Sequence, residues 1–154
     1  MVASFECVTR SSRSVEEMFD LARSIEAHTE SQAGSAEEAV AGVTQGLIGA
    51  GQDVTWTARH FGIRFSLTSA ITEFDPPHRS VDEQTRGPFK AFRHEHVFEP
   101  ADGGSVMIDR IRFTAPFGPV GRVAEKLVLE PYLRRLIADR GSFLAESPSA
   151  PTKE

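Results

Sequence analysis

Two histidines one residue apart, His94 and His96, sit in the run Gly87-Pro88-Phe89-Lys90-Ala91-Phe92-Arg93-His94-Glu95-His96-Val97-Phe98. After Gly-Pro this run reads as a strand, whose side chains alternate between the two faces of a sheet. Phe92, His94, His96 and Phe98 then share one face, and Arg93, Glu95 and Glu99 share the other. A core that only needed filling would not choose two imidazoles framed by phenylalanines. Such a pair can form a satisfied polar network, since an unpaired buried charge costs several kcal/mol. It can anchor the polar atoms of a bound molecule, or exchange protons near neutral pH. It can also place two ring nitrogens on one metal ion, with Asp109 or His60 as a third ligand. No further ligand motif accompanies the pair, so neither a metal ion nor a cofactor is expected.

The next strand supplies a partner. Asp102-Gly103-Gly104 between alternating runs is a hairpin signal. In Ser105 to Phe113 the arginines Arg110 and Arg112 claim the solvent face, which turns Met107, Asp109, Ile111 and Phe113 inward. If Asp102-Gly103 is a two-residue turn, His96 lies directly across from Asp109, and a slip of one residue would undo that pairing. Upstream, Ser80, Asp82 and Gln84 alternate with Val81, Glu83 and Thr85. Trp56 and His60 share a face with Val54, and Leu67 and Ile71 fall on the alternating set of the strand after Gly62. His28 and His78, near a helix end and a Pro-Pro turn, are expected in solvent. No nucleophile elbow, phosphate-binding glycine loop or Ser-His-Asp spacing is present.

The remaining pattern says what must position these residues. Val2 to Thr9 alternates as a strand, and Ser14-Val15-Glu16-Glu17 fits a capping box that opens a helix to about His28. A strand is expected around Val40 and Val43, and alternating runs from Asp53 to Phe113 predict several more. Val120, Val123, Ala124, Leu127, Val128, Pro131, Tyr132, Leu136 and Ile137 trace the apolar stripe of a long last helix, kinked at Pro131. The expected fold class is α+β: a curved antiparallel sheet of about six to seven strands against a long C-terminal helix, with a cavity between them. Residues 1–146 are read as one domain and 147–154 as a disordered Ser/Pro-rich tail.

Composition narrows the partners. The 154 residues carry a net charge of −5 with scattered basic residues, which argues against nucleic acid. Cys7 is the single cysteine, so no intrachain disulfide forms. No signal peptide and no run of about 20 apolar residues for a membrane span is found, and the expected location is the cytoplasm.

Asp82-x-Gln84-x-x-Gly87-Pro88-Phe89, Phe92-x-His94-x-His96-x-Phe98 and Gly104-Ser105-x-Met107-x-Asp109 resemble the ligand-binding SRPBCC domains of the START-like, Bet v 1-like superfamily, which also holds polyketide cyclases. The likeness extends over roughly residues 3 to 145. It implies a helix-grip fold around a mainly apolar cavity, and a small hydrophobic or amphipathic ligand such as a lipid, polyketide or aromatic metabolite. It places Asp82, Gln84, His94, His96 and Asp109 among the family's recurrent positions. The walls would come from Trp56, His60, Leu67, Ile71, Phe92, Phe98, Met107, Ile111 and Phe113. The family expects an aromatic residue two before the aspartate. Ser80 stands there instead, and would enlarge the cavity locally or make it more polar. The alternative activity is a cyclase or dehydratase in which His94 or His96, oriented by Asp109, acts as general acid or base.

Overall fold

Period-two alternation builds seven strands, and a computed structural model describes them within residues 2–146. The tail expected to be disordered lies outside the described residues. The order is β1 (Ala3–Ser11), α1 (Val15–Ala22), α2 (Ile25–Ser31), β2 (Glu38–Gly42), β3 (Asp53–His60), β4 (Ile63–Asp75), β5 (Arg79–Arg86), β6 (Ala91–Ala101) and β7 (Gly104–Thr114). A C-terminal helix follows as α3 (Gly118–Ala124), a π turn (Glu125–Leu129) and α4 (Glu130–Glu146). The strands form one antiparallel sheet in the order β1-β7-β6-β5-β4-β3-β2. Each strand from β2 to β7 pairs with its chain neighbour, whereas β1 pairs with β7, so α1 and α2 carry the chain from one edge of the sheet to the other.

Two helical expectations change. The single helix from Ser14 to His28 is broken at Arg23-Ser24. Ser24 is extended, at φ −79° and ψ 124°, and its hydroxyl caps α2 by accepting from the Ala27 N–H. The break is held by backbone bonds from a distant loop: Ile25 N–H to the Gly46 carbonyl at 2.9 Å and Ile48 N–H to the Arg23 carbonyl at 3.1 Å. At the helix start the Ser14 hydroxyl accepts from the Glu17 N–H as the capping box requires, but the Glu17 carboxylate pairs with Arg13.

The last helix is the second change. Its π turn lies just before Pro131, whose missing N–H already weakens that turn. The wide turn alters the helical phase. Leu129 and Leu133 join Tyr132, Leu136 and Ile137 on the inner side, while Val123, Leu127 and Val128 of the expected inward stripe stand in solvent.

Packing divides the sheet into two halves. Leu129, Leu133 and Ile137 rest on Phe5, Ile111 and Phe113. Leu144 is fully buried in the cluster of Phe98, Met107, Met18 and Phe19. Each such side chain contributes about 1.5–3 kcal/mol by leaving water. The C-terminal helix therefore sits directly on β1 and β7. The outer face carries Arg93 and Glu95, as expected, within a ladder that includes Arg79–Glu95 at 2.7 Å and Arg93–Glu73 at 2.8 Å. Exposed pairs of this kind add at most about 1 kcal/mol each.

Candidate ligand-binding cavity

Because the helix rests on one half of the sheet, the other half curves away beneath it and encloses a cavity of about 650 Å³. From the sequence-named residues, β3 contributes Trp56 and His60, β4 Leu67 and Ile71, β5 Asp82, and β6 Phe92, His94 and His96. The helix closes the opposite side with Tyr132, Leu133, Leu136, Ile137 and Arg140.

Six other named residues do not reach the wall. Phe98 and Met107 pack under α1, and Ile111 and Phe113 lie beneath the helix, because β7 belongs to the covered half. Gln84 is engaged with the backbone of Phe89: its amide Nε2 donates to the carbonyl at 2.8 Å and its Oε1 accepts from the N–H at 3.3 Å. Asp109 is fully buried behind the histidines. Ser80 is buried opposite His96 and is not among the wall residues, so its hydroxyl does not polarise the cavity.

At the β5–β6 side the wall becomes polar. The hairpin has the register expected from Asp102-Gly103, with His96 opposite Asp109, and Asp82 stands opposite His94. The side chains bond along the diagonals, which long side chains on neighbouring strands can reach. His94 Nε2 lies 2.7 Å from Asp109 Oδ1, and His96 Nε2 lies 2.8 Å from Asp82 Oδ2. His96 Nδ1 is 3.1 Å from the same Asp109 oxygen, and the two rings stack at 3.8 Å. Arg140 reaches in from α4; its Nη2 donates to the Ala22 carbonyl at 2.7 Å and its Nη1 lies 3.8 Å from Asp109.

These contacts separate the two imidazoles. Burial and the neighbouring His96 hold the His94 pKa below its ordinary value, so His94 is neutral. Burial also opposes a charge on His96, but Asp109 and Asp82 outweigh it and raise its pKa. Burial disfavours both carboxylates as well, yet the histidines lower the pKa of Asp82 and hold Asp109 well below the usual carboxylate range. When His96 is protonated, the pole balances two anions, Asp82 and Asp109, against two cations, His96 and Arg140. With Nε2–H donated to Asp109, His94 keeps an Nδ1 lone pair that has no hydrogen-bond partner among the described residues.

Asp82, His94 and His96 offer three ligand atoms within 4.8 Å of one another. The arrangement fits a metal poorly. Rings stacked only 25° from parallel aim their lone pairs side by side, where shared coordination needs them to converge on one point.

A second polar cluster lies across the cavity. His60 Nδ1 is 2.6 Å from the Tyr132 hydroxyl, and His28 Nε2 is 2.7 Å from Glu37. His28, expected in solvent, is half-buried and stacks on Trp56 at 4.2 Å. Burial pushes the His60 pKa down and that of Tyr132 up.

Sequence reasoning missed Arg140. Its signal was present: Leu133, Ile137, Arg140 and Leu144 share one helical stripe, and a guanidinium on an apolar stripe requires a buried acceptor.

The histidines set opposite limbs of a pH–stability curve. His94, with its folded pKa lowered, stabilises the protein above the unfolded value of 6.5, and that stabilisation is lost as pH falls below it. His96, with its folded pKa raised, stabilises below 6.5 and loses its contribution as pH rises toward the folded value. Thermal melts from acid to mildly alkaline pH should peak near the unfolded imidazole pKa. His94→Gln should flatten the acid limb, to which His60 also contributes, and His96→Gln the alkaline one.

Comparison with known proteins agrees with this architecture. The protein TTHA0849 from Thermus thermophilus is 18% identical, with a TM-score of 0.74 over 95% of each chain. The Zhui aromatase/cyclase from Streptomyces sp. R1128 is 13% identical, with a TM-score of 0.68 over 93% of this chain and 94% of that one. The di-domain ARO/CYC StfQ of the steffimycin biosynthetic pathway is 16% identical, with a TM-score of 0.71 over 94% of this chain and 50% of its own length. At such identities these likenesses speak for the fold, and no curated protein matches the chain. The family described as polyketide cyclase / dehydrase and lipid transport matches residues 3–144, and with its helix-grip architecture the chain belongs to that family.

Proposed function

We propose that this chain is a cytoplasmic binding protein for a small hydrophobic or amphipathic molecule, a lipid, polyketide or aromatic metabolite. The observation that carries the reading is the cavity of about 650 Å³ with mainly apolar walls and two small polar clusters facing each other across it. Space of this size accommodates a drug-sized ligand, and few but well-placed polar groups are what orient one. Trp56, Leu67, Ile71 and Phe92 take the apolar body. Asp82, His94 and Arg140 meet its polar end, while Asp109 acts behind them. Among the described residues no helix is long and apolar enough to cross a membrane.

Native mass spectrometry of protein purified from its own host, followed by extraction, tests the reading by finding a stoichiometric small molecule. An empty protein that also shows no affinity for fluorescent fatty-acid or aromatic probes would overturn it. Ala58→Trp gives a sharper result. Ala58 is a buried wall residue, and an indole there would occupy ligand space. Probe affinity should fall at least about tenfold, equivalent to about 1.4 kcal/mol, with the fold intact by circular dichroism.

A second reading, an enzyme of cyclase or dehydratase type, draws on His94. Its free Nδ1 would take a proton from a carbon acid or hydroxyl, and Asp109 would stabilise the imidazolium formed. The aromatase/cyclase neighbours support the same reading by analogy of fold alone. His94→Gln separates the two: in a carrier it should cost probe binding at most about 1 kcal/mol, the value of one polar anchor, and in an enzyme it should abolish turnover of a processed ligand.

A further inference from the structure

The C-terminal helix turns apolar side chains toward water. Phe117, Val120, Val123, Leu127 and Val128 are 47–83% exposed, and Phe61 at the β3–β4 turn is 59% exposed. Scattered apolar residues on a surface are ordinary, but five within the twelve residues 117–128 mark an interaction site. Phe61 and Phe117 sit on left-handed backbone, at φ 55° and 73°. Bulky residues seldom adopt that region, and such strain gathers at functional surfaces.

The patch borders the cavity. Phe61, Phe117 and Val120 are exposed and yet also line it, which places them at its opening. The Phe61 ring packs 4.5 Å from that of Tyr132, joining the β3–β4 turn to the helix.

Cations predominate around the patch. Arg59 and Arg64 flank the turn, and Arg122 and Lys126 alternate with the exposed apolar residues; all four are exposed. The chain has no acidic residue from 54 to 72 or from 110 to 124, although its net charge is −5. Glu37, near Tyr132, pairs with His28 at 2.7 Å, and the two helix carboxylates closest to the ridge are engaged as well. Glu125 is buried and accepts from the Ala115 N–H at 2.5 Å, and Glu130 pairs with Arg134 at 3.2 Å. A second copy of the chain would set these cations against their own images. Hydrocarbon beneath a layer of anionic headgroups complements both the apolar ridge and the basic rim.

We propose that the Phe61 turn and the Phe117–Val128 face of the C-terminal helix dock the cavity opening onto an anionic lipid surface. In that orientation an apolar molecule passes between bilayer and cavity without crossing water. The docking itself needs no bound ligand, so it is tested apart from the binding reading.

The experiment is flotation of the full chain with vesicles of pure phosphatidylcholine, or of phosphatidylcholine and phosphatidylglycerol in equal parts. The protein should float with the anionic vesicles, remain largely free of the zwitterionic ones, and detach as salt is raised. Val123→Asp with Leu127→Asp should abolish flotation, while the melting temperature and the cavity's affinity for a fatty-acid probe stay unchanged. Arg122→Glu with Lys126→Glu, a gentler pair, should weaken it at least about tenfold. No flotation with anionic vesicles overturns the proposal, and so does flotation indifferent to both pairs. A concentration-dependent dimer that Leu127→Asp dissociates would assign the ridge to a second copy instead, and an acidic protein partner would leave the vesicles unbound.

Discussion

Replacing Asp109 by asparagine is expected to cost about 3–5 kcal/mol of stability, roughly 6–20 °C in Tm for a chain of this size. The carboxylate is fully buried, meets both histidines and faces Arg140. Asparagine keeps its shape and removes its charge. A protonated His96 then has only Asp82, and Arg140 loses its ion pair with Asp109, which are the conditions under which breaking a buried pair is most costly. The alkaline limb of the stability curve should shrink as well, because one of the two carboxylates that raise the His96 pKa is gone. Chemical denaturation of the two proteins at neutral pH measures the first effect. A loss under about 1 kcal/mol, the net value of an ordinary hydrogen bond, would mean that the pole does not depend on the carboxylate's charge.

Gly121→Val is the second large effect. A Cβ at Gly121 would meet the carbonyl oxygen of Pro116, with the Ala115 oxygen 3.4 Å away. Both obstacles are backbone, so no side chain can swing aside, and α3 must move off the end of β7. Overpacking of this kind costs about 1–3 kcal/mol, here at the upper end. The displaced helix start carries Phe117 and Val120, so amide chemical shifts should change around the cavity opening and little at the Asp109 pole. Gly34→Ala is the control. Nothing lies within 4 Å of a Cβ there, and its Tm should hardly move.

The sequence is legible where its signals are local. The alternation in Asp53–His60, Ala91–Ala101 and Gly104–Thr114 yields strands, faces and even the His96–Asp109 register, because a two-residue turn and a period of two leave little freedom. Long-range effects are not legible. The break at Ser24 depends on hydrogen bonds to Gly46 and Ile48, which no helical pattern contains. Periodicity points Val123, Leu127 and Val128 inward because it assumes 3.6 residues per turn throughout, and a π turn violates that assumption. The wall residues follow, in sequence, from the inner face of the whole sheet. Which half the helices cover is decided by packing, so alternation groups Met107, Ile111 and Phe113 with His94 although α1 covers the first and the C-terminal helix the other two. Arg140 escapes notice for a simpler reason: one charge in an apolar stripe looks like surface until its acceptor is known.

The pairing of β1 with β7 bears on how the chain acquires its structure. Ala3 stands opposite Phe113 and Ser11 opposite Ser105, so the earliest strand finds its neighbour only after about a hundred residues have intervened. Every hairpin from β2 to β7 can form from adjacent segments, but this seam requires closure of the largest loop in the sheet. During synthesis Phe5 therefore stays without its partners Ile111 and Phe113 until the last strand has left the ribosome. The N-terminal strand and the C-terminal helix that packs on it complete the fold together, late and slowly.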